Sequence, residues 1–116
     1  MTAEYEVVAH ETSATAVIVL TGQVDRDAAD ALTAAYAIAV ATDPTTVVLD
    51  FNSVDYINST GIALIVSLLG RARADRRAVH AAGLTDHYRH VFDITRLSDF
   101  IQVFSDVDAA VGAATA

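Results

Sequence analysis

Tyr56-Ile-Asn-Ser-Thr-Gly61 lies between a β-rich apolar run, Thr46–Phe51, and an apolar run long enough for a helix, Ile62–Leu69. The junction predicts a strand, a loop and a helix, with the adjacent hydroxyls of Ser59 and Thr60 in the first helical turn. Free backbone N–H groups and the positive end of the helix dipole favour negative charge at that place. A hydroxyl there can cap the helix, attack an electrophile or carry a phosphate.

The composition of the chain excludes several classes of protein. The chain has 116 residues, the size of one domain, and 53% of them are apolar, which argues against disorder. Without an apolar run of roughly 18 residues or a signal peptide at the N-terminus, we expect a cytoplasmic protein with no direct membrane insertion. The absence of cysteine excludes disulfides and thiol catalysis. A net charge of −8 argues against a nucleic-acid surface and favours a soluble monomer.

All basic residues are arginines, and four of the seven follow the apolar helix run: Arg71, Arg73, Arg76 and Arg77. A solvated helix end that complements the dipole explains this cluster. A local contact with an anion or a partner is the alternative.

Strand and helix patterns alternate along the chain. Strands are predicted over 5–10, 15–21, 46–51, 78–82 and 99–104, with a hairpin-like connection at 11–14 and a loop at 52–57. Helices are predicted from an Asp27 cap to about Thr42, from Asn58 or Ser59 to about Asp75, over 86–95 and from Asp106. The Ala-rich residues 109–116 are expected to be a loose tail. This order predicts an α/β fold with a mixed sheet of about five strands and helices mainly on one face.

Two predicted helices have clear apolar patterns. In the first, one face repeats at helical spacing and should face the core: Leu32, Ala35, Tyr36 and Ala39. In the second, one stripe comprises Ile62, Ile65, Val66 and Leu69. Leu64 and Leu68 lie off that stripe, although a helix on a sheet needs only one buried stripe. Their flank is therefore either buried by neighbouring helices or exposed for a partner.

Three segments resemble STAS domains, and in particular the bacterial anti-sigma factor antagonists. Thr21-Gly-Gln-Val-Asp25 is similar to the family's T-G-x-[LIV]-D motif before the first helix. Val47–Phe51 followed by Val54–Ile62 resembles its strand, loop and phosphorylation turn, and Gly83–Leu97 resembles its third-helix segment. The resemblance extends over essentially the whole chain and implies a single STAS domain over residues 1–116.

The resemblance implies a phosphorylation switch at Ser59, with Thr60 the less favoured acceptor. In that scheme a partner that is both a serine kinase and an anti-sigma factor binds only the unphosphorylated form, which frees a sigma factor for a stress response. A serine phosphatase resets the switch. Asp25 and Asp55 are the acidic neighbours that the family layout suggests. The expected partner-binding residues are Asp25, Asn58, Ser59, Thr60, Gly61, Leu64 and Leu68.

The chain departs from the common family pattern at two positions. Asn58 stands where phosphorylated members often carry Asp. Asn caps a helix as well as Asp does, but it offers a kinase no carboxylate. Arg96 stands where members often carry Gly at a helix end, which favours a left-handed residue. We expect a locally altered turn there.

Other functions lack their motifs. There is no G-x-S-x-G elbow and no glycine-rich phosphate loop, and His87 and His90 have no third metal ligand at a known spacing. We therefore expect no enzymatic activity, cofactor or metal. The remaining alternative is a constitutive STAS interaction subunit, such as the accessory subunit of a lipid transporter or a scaffold of a stress complex. In that role the same helix and turn would dock a partner without phosphate.

Overall fold

One mixed sheet organises the residues that the computed structural model describes, which are 4–9 and 15–115. The elements in chain order are β1 (Glu4–Ala9), β2 (Thr15–Val24), α1 (Ala29–Val40), β3 (Thr46–Ile57), α2 (Ser59–Ala74), β4 (Ala78–Ala82), α3 (Asp86–Ile94), β5 (Gln102–Phe104) and α4 (Val107–Thr115). Short 3-10 helices precede α1 at Arg26–Ala28 and β5 at Leu97–Asp99. The predictions for His10, residues 11–14 and Ala116 lie outside the described residues.

The strands lie in the order β1-β2-β3-β4-β5. β1 pairs antiparallel with β2, and every other neighbouring pair is parallel. Parallel neighbours need a crossover, and α1, α2 and α3 supply the three that this sheet requires. The predicted mixed α/β fold is confirmed.

The two faces of the sheet are covered unequally. On one face a large core packs α1, α2 and α3 against the strands, with Ile18, Leu49 and Ile65 completely buried. On the other face a small cluster joins Val17 and Val48 to α4. Helices therefore lie mainly on one face, as predicted.

Helix α1 buries the predicted stripe of Leu32, Ala35, Tyr36 and Ala39. The predicted cap is wrong, because Asp25 and not Asp27 begins the helical segment. The Asp25 Oδ1 accepts a hydrogen bond of 3.0 Å from the Asp27 N–H and starts the 3-10 turn that leads into α1.

The loop predicted at residues 52–57 is wrong, because β3 continues to Ile57. Its second half pairs with Thr21–Val24, which extends β2 beyond its predicted end. The pairing resumes after register shifts on either side of Thr21 and Gly22. Those irregularities place Val54 and Ile57, three residues apart, both in the core, so the alternation that marks a strand is absent from the sequence.

The chain end also differs from its prediction. Residues 109–115 belong to α4 and are not a loose tail. The Asp106 carboxylate caps this helix by accepting from the Ala109 N–H at 2.7 Å. Ala110 is completely buried against the sheet, where His80 Nδ1 lies 3.1 Å from its carbonyl oxygen. A small residue at that place lets the helix approach the sheet closely.

The segment between α3 and β5 keeps a left-handed turn. Arg96 itself adopts φ 65°, so the turn expected to be altered retains the conformation that glycine favours. The last strand is shorter than predicted, because Leu97–Asp99 forms a 3-10 helix before Gln102.

Tyr36 allows a stability test of the α1–α2 packing. Its hydroxyl donates a hydrogen bond of 2.9 Å to Asp75 Oδ2, and burial, followed by this bond, raises the Tyr36 pKa above its usual 10.0. We expect Tyr36→Phe to lower the free energy of unfolding by about 1 kcal/mol at neutral pH. The raised pKa makes the tyrosine's contribution complete below pH 10.0 and progressively lost above it.

The two chains should therefore converge in stability as the pH rises above 10.0, measured by urea unfolding. Tyr56→Phe is the control, because Tyr56 is 50% exposed and its hydroxyl has no hydrogen bond in the described structure. A constant difference between Tyr36→Phe and the parent chain through this range would contradict the prediction.

Candidate functional site

The site is built on a contact between the first turn of α2 and the end of β2. A Cβ atom on Gly61 would lie 2.0 Å from the carbonyl oxygen of Val24 and 3.1 Å from the Ile57 side chain. The sequence allows two roles for Gly61, which are close approach of another backbone and mere relief of crowding. No other residue type fits there, so close backbone approach is the correct one. The contact ties the start of α2 to the ends of β2 and β3.

Of the two predicted cap residues, Asn58 and Ser59, it is Asn58 that caps α2. Its Oδ1 accepts from the Gly61 N–H at 2.8 Å, and its carbonyl accepts from the Ile62 N–H at 2.9 Å. Its own N–H donates to the Val24 carbonyl at 3.3 Å. The cap therefore positions the helix end and also joins it to β2.

Ser59 and Thr60 follow the cap, and both are exposed. A threonine next to a helix cap more often packs in the first turn, and the sequence favours that role for Thr60, but its side chain lies in solvent. No residue of that turn is acidic, and among the described residues no group accepts from the N–H of Ser59 or Thr60. The turn thus presents two hydroxyls and two free N–H donors at the positive end of the dipole.

The predicted acidic neighbours differ in position. Asp25 directly follows Val24, so it adjoins the α2 turn, and its carboxylate is occupied in capping the 3-10 helix. Asp55 lies exposed on the extension of β3, and in the described structure its side chain makes no hydrogen bond. A loop aspartate commonly forms hydrogen bonds within a turn, and the sequence allows that role for Asp55, but no such bond is present among the described residues.

Tyr88 of α3 holds the same corner, and the sequence did not single it out. Its hydroxyl accepts from the Ile57 N–H at 2.9 Å, immediately before the cap. Thr85 begins α3 by accepting from the Tyr88 N–H. A tyrosine at helical spacing looks like a packing residue, so only the fold reveals this bond.

The apolar flank of α2 divides between the core and the surface. Leu68 is 5% exposed and packs in the main core, so its prediction as a partner-binding residue is wrong. Leu64 is half-buried and remains available at the edge. The predicted stripe is only partly buried, since Val66 is 49% exposed. The side of α2 that carries Leu64 and Leu68 packs towards α1. The face of α2 that is buried therefore differs from the predicted stripe.

Metal and membrane features are limited in the described part of the chain. His87 and His90 are exposed on α3, and the His87 ring packs edge-on against Tyr88 at 4.9 Å. No group of three or more His, Cys, Asp or Glu side chains converges among the described residues. Within that same portion, every helix is too short or too polar to cross a bilayer.

Gly61 and Gly70, both in α2, provide a matched pair for stability measurements. We expect Gly61→Ala to destabilise the fold by about 3 kcal/mol or more, because the new Cβ overlaps the Val24 carbonyl. Gly70→Ala meets no atom within 4 Å and should stabilise the helix by up to about 1 kcal/mol. Equal effects of the two substitutions in chemical denaturation would contradict the proposed contact.

Asn58 should contribute mainly as a cap. Asn58→Ala is expected to lower the free energy of unfolding by about 1 kcal/mol, because the Gly61 N–H loses its acceptor. Asn58→Asp keeps an acceptor and adds a charge that favours the helix N-terminus, so its stability should match or exceed that of the parent. Urea unfolding of the parent and the two variants measures their order of stability. A loss of stability in Asn58→Asp as large as that in Asn58→Ala would refute the prediction.

Solved structures of several proteins share this fold. An anti-sigma factor antagonist from Mycobacterium paratuberculosis has a TM-score of 0.78 and 22% identity, over 99% of this chain and 96% of that one. The phosphorylated Bacillus cell fate determinant SpoIIAA has a TM-score of 0.70 and 20% identity, over 94% and 97%. A sulfate transporter family protein from Wolinella succinogenes has a TM-score of 0.78 and 17% identity, over 92% and 88%. The search of curated proteins gives no match.

Sequence identities below 25% show that these proteins share a fold, but they do not show that this chain belongs to the same family. A family model described as "Mlab, STAS domain" matches residues 7–103. That span contains the turn at Asn58–Gly61, the Val24 contact and the α3 tyrosine that holds the corner. The resemblance drawn from the three motifs is confirmed: the chain belongs to the STAS domain family.

Proposed function

We propose that this STAS domain is an anti-sigma factor antagonist, an interaction module without enzymatic activity that is switched by phosphorylation of Ser59. The unphosphorylated form binds an anti-sigma factor that is also a serine kinase and so frees a sigma factor. A phosphatase restores the binding form. The domain acts as a cytoplasmic monomer.

The observation that carries the proposal is the exposed Ser59 hydroxyl at the first position of α2. A protein kinase needs an accessible hydroxyl, and the cap before it and the Gly61 contact after it hold the turn in one conformation. The free N–H groups of Ser59 and Thr60 would donate hydrogen bonds to a phosphate without refolding, because a helix N-terminus stabilises an anion. The similar structures named for anti-sigma factor antagonists give further support for the partner class.

The switch then acts on the interface and not on the fold. A phosphate adds close to two negative charges at neutral pH. A like charge about 4 Å away near a protein surface is worth about 4 kcal/mol of repulsion. Since about 1.4 kcal/mol changes affinity tenfold, one acidic group on the partner suffices to release it. Leu64, at the edge of α2, would contribute an apolar contact to the same surface.

A constitutive interaction subunit is the second candidate. Asn58 lacks the carboxylate that phosphorylated members often carry at this position, and one similar structure is of a sulfate transporter family protein. In this role the turn at Ser59 docks a partner permanently, and no phosphate is involved. A lipid-transporter accessory subunit or a stress-complex scaffold would have this behaviour.

Phosphopeptide mass spectrometry on the protein from its native cells, grown with and without stress, tests the switch directly. Phosphate on Ser59 with a stress-dependent occupancy is the expected result. A Ser59 peptide recovered in good yield and never phosphorylated would reject the switch and favour the constitutive subunit.

Binding of the purified anti-sigma kinase to charge variants provides a second readout. Ser59→Asp should weaken binding at least about tenfold, whereas Ser59→Ala should leave it within about threefold. Ser105→Asp is the matched control, because it adds the same charge at an exposed site beyond β5. A constitutive module predicts that both Ser59→Ala and Ser59→Thr are silent and that Leu64→Asp is disruptive.

A further inference from the structure

A groove of about 860 Å³ lies at the opposite end of α2 from Ser59. Its walls are the last turns of α2, the start of β4 and the segment 95–102 between α3 and β5. Ser59 and Arg73 are 14 residues apart on one helix, which separates them by about 21 Å. The groove is therefore distinct from the proposed phosphorylation site.

Apolar side chains form one wall of this groove. Phe100 is 61% exposed and Val66 is 49% exposed, and both line the groove together with the half-buried Leu69. Large apolar side chains on one concave surface of a small domain indicate a binding site more often than scattered exposed residues do.

Gly70 lines the same groove from the last turns of α2. A glycine inside a helix lowers its stability, and close approach of a neighbouring atom is one packing reason for a glycine there. No such neighbour exists here, since a Cβ on Gly70 would meet nothing within 4 Å. The missing side chain leaves the groove open above this part of α2.

Four of the seven arginines of an otherwise acidic chain line the groove: Arg73, Arg76, Arg77 and Arg96. Two of them are neutralised, because Arg77 pairs with Asp43 at 3.1 Å and Arg96 pairs with Asp99 at 2.8 Å. The guanidinium of Arg73 lies 6.0 Å from the Phe100 ring centroid, and Arg76 makes no ion pair with any described residue. The groove thus holds two cations that lack an acidic partner in the described structure, beside an apolar wall.

Arg76 and Arg96 occupy backbone positions that favour glycine. Their φ angles are 61° and 65°, and each ends a helix, α2 and α3 respectively. At Arg76 the following N–H, that of Arg77, bonds back to the Ala72 carbonyl at 2.8 Å, which completes the turn that usually carries a glycine. An arginine at such a position is conformationally unfavourable, so the helix ends themselves gain nothing from these two side chains.

We propose that this groove binds an anionic amphiphile, a small molecule with a carboxylate or phosphate head and a hydrocarbon body. Arg73 and Arg76 receive the head, since guanidinium groups match the oxygens of both anions. Phe100, Val66 and the space above Gly70 receive the body. The volume lies within the roughly 300–1000 Å³ typical of small-ligand sites, which favours a small molecule over a protein partner. This site goes beyond the proposed switch and does not depend on it.

Amide NMR titrations of the full chain with decanoate and with decyl phosphate, both below their micelle concentrations, test the proposal. Shifts at the Gly70, Arg73 and Phe100 amides, with Ser59 unchanged, are expected for at least one probe. Binding of only one probe identifies the head group. Inorganic phosphate alone should bind at least about tenfold more weakly than decyl phosphate, because it gains nothing from the apolar wall. Equal binding of the two phosphates, or no shift with either amphiphile, would overturn the proposal.

Two variants separate binding from folding. Gly70→Leu should fill the groove and weaken amphiphile binding at least about tenfold, while the melting temperature stays at or above that of the parent. Arg76→Gly should raise the melting temperature by relieving the left-handed residue, yet weaken binding by about fivefold through the lost cation. Unchanged binding in either folded variant would refute the assignment of the groove.

Discussion

The approach of the Val24 carbonyl to Gly61 is the constraint on which the rest of the site depends. A side chain at residue 61 would overlap the Val24 carbonyl oxygen, so the first turn of α2 reaches the end of β2 only because that side chain is missing. The contact lets the Asn58 N–H bond the same carbonyl and directs Ser59 and Thr60 outward. Tyr88 completes the corner from α3. The turn that carries the exposed Ser59 is consequently held in place by β2, β3 and α3 and does not belong to a loop.

Helix α2 connects two surfaces that both favour negative charge, each by a different chemistry. Its N-terminus has two free N–H groups and no acidic residue in the first turn, so it is suited to a negative charge that arrives later. Its C-terminus is surrounded by arginines, which complement the negative end of the dipole and leave a cationic groove. Both ends therefore favour anions, the first through backbone amides and the second through side chains. The core beneath α2 makes the helix a rigid spacer between them.

Several elements could be predicted because their signals are local. The β4 strand was predicted at its observed bounds, and the Asn58 cap and the buried face of α1 agree with their patterns. The second half of β3 could not be predicted, because its pairing with β2 includes register shifts that remove the alternation. The C-terminal helix predicted from Asp106 is present, but its continuation to Thr115 could not be predicted, because alanine-rich residues carry little amphipathic signal and the docking of Ala110 supplies the stability.

The sequence by itself determined the order of strands and helices, the family and the hydroxyl pair at the start of α2. Those properties depend on residue spacing and capping chemistry within a few positions of one another. Only the tertiary structure decided which leucine of α2 is in the core, why residue 61 must be glycine, and which arginines surround a groove. Each of these depends on atoms far apart in the chain, such as Val24 and Gly61 or Arg73 and Phe100. Their proximity follows from the packing of α2 on the sheet, which no local pattern encodes.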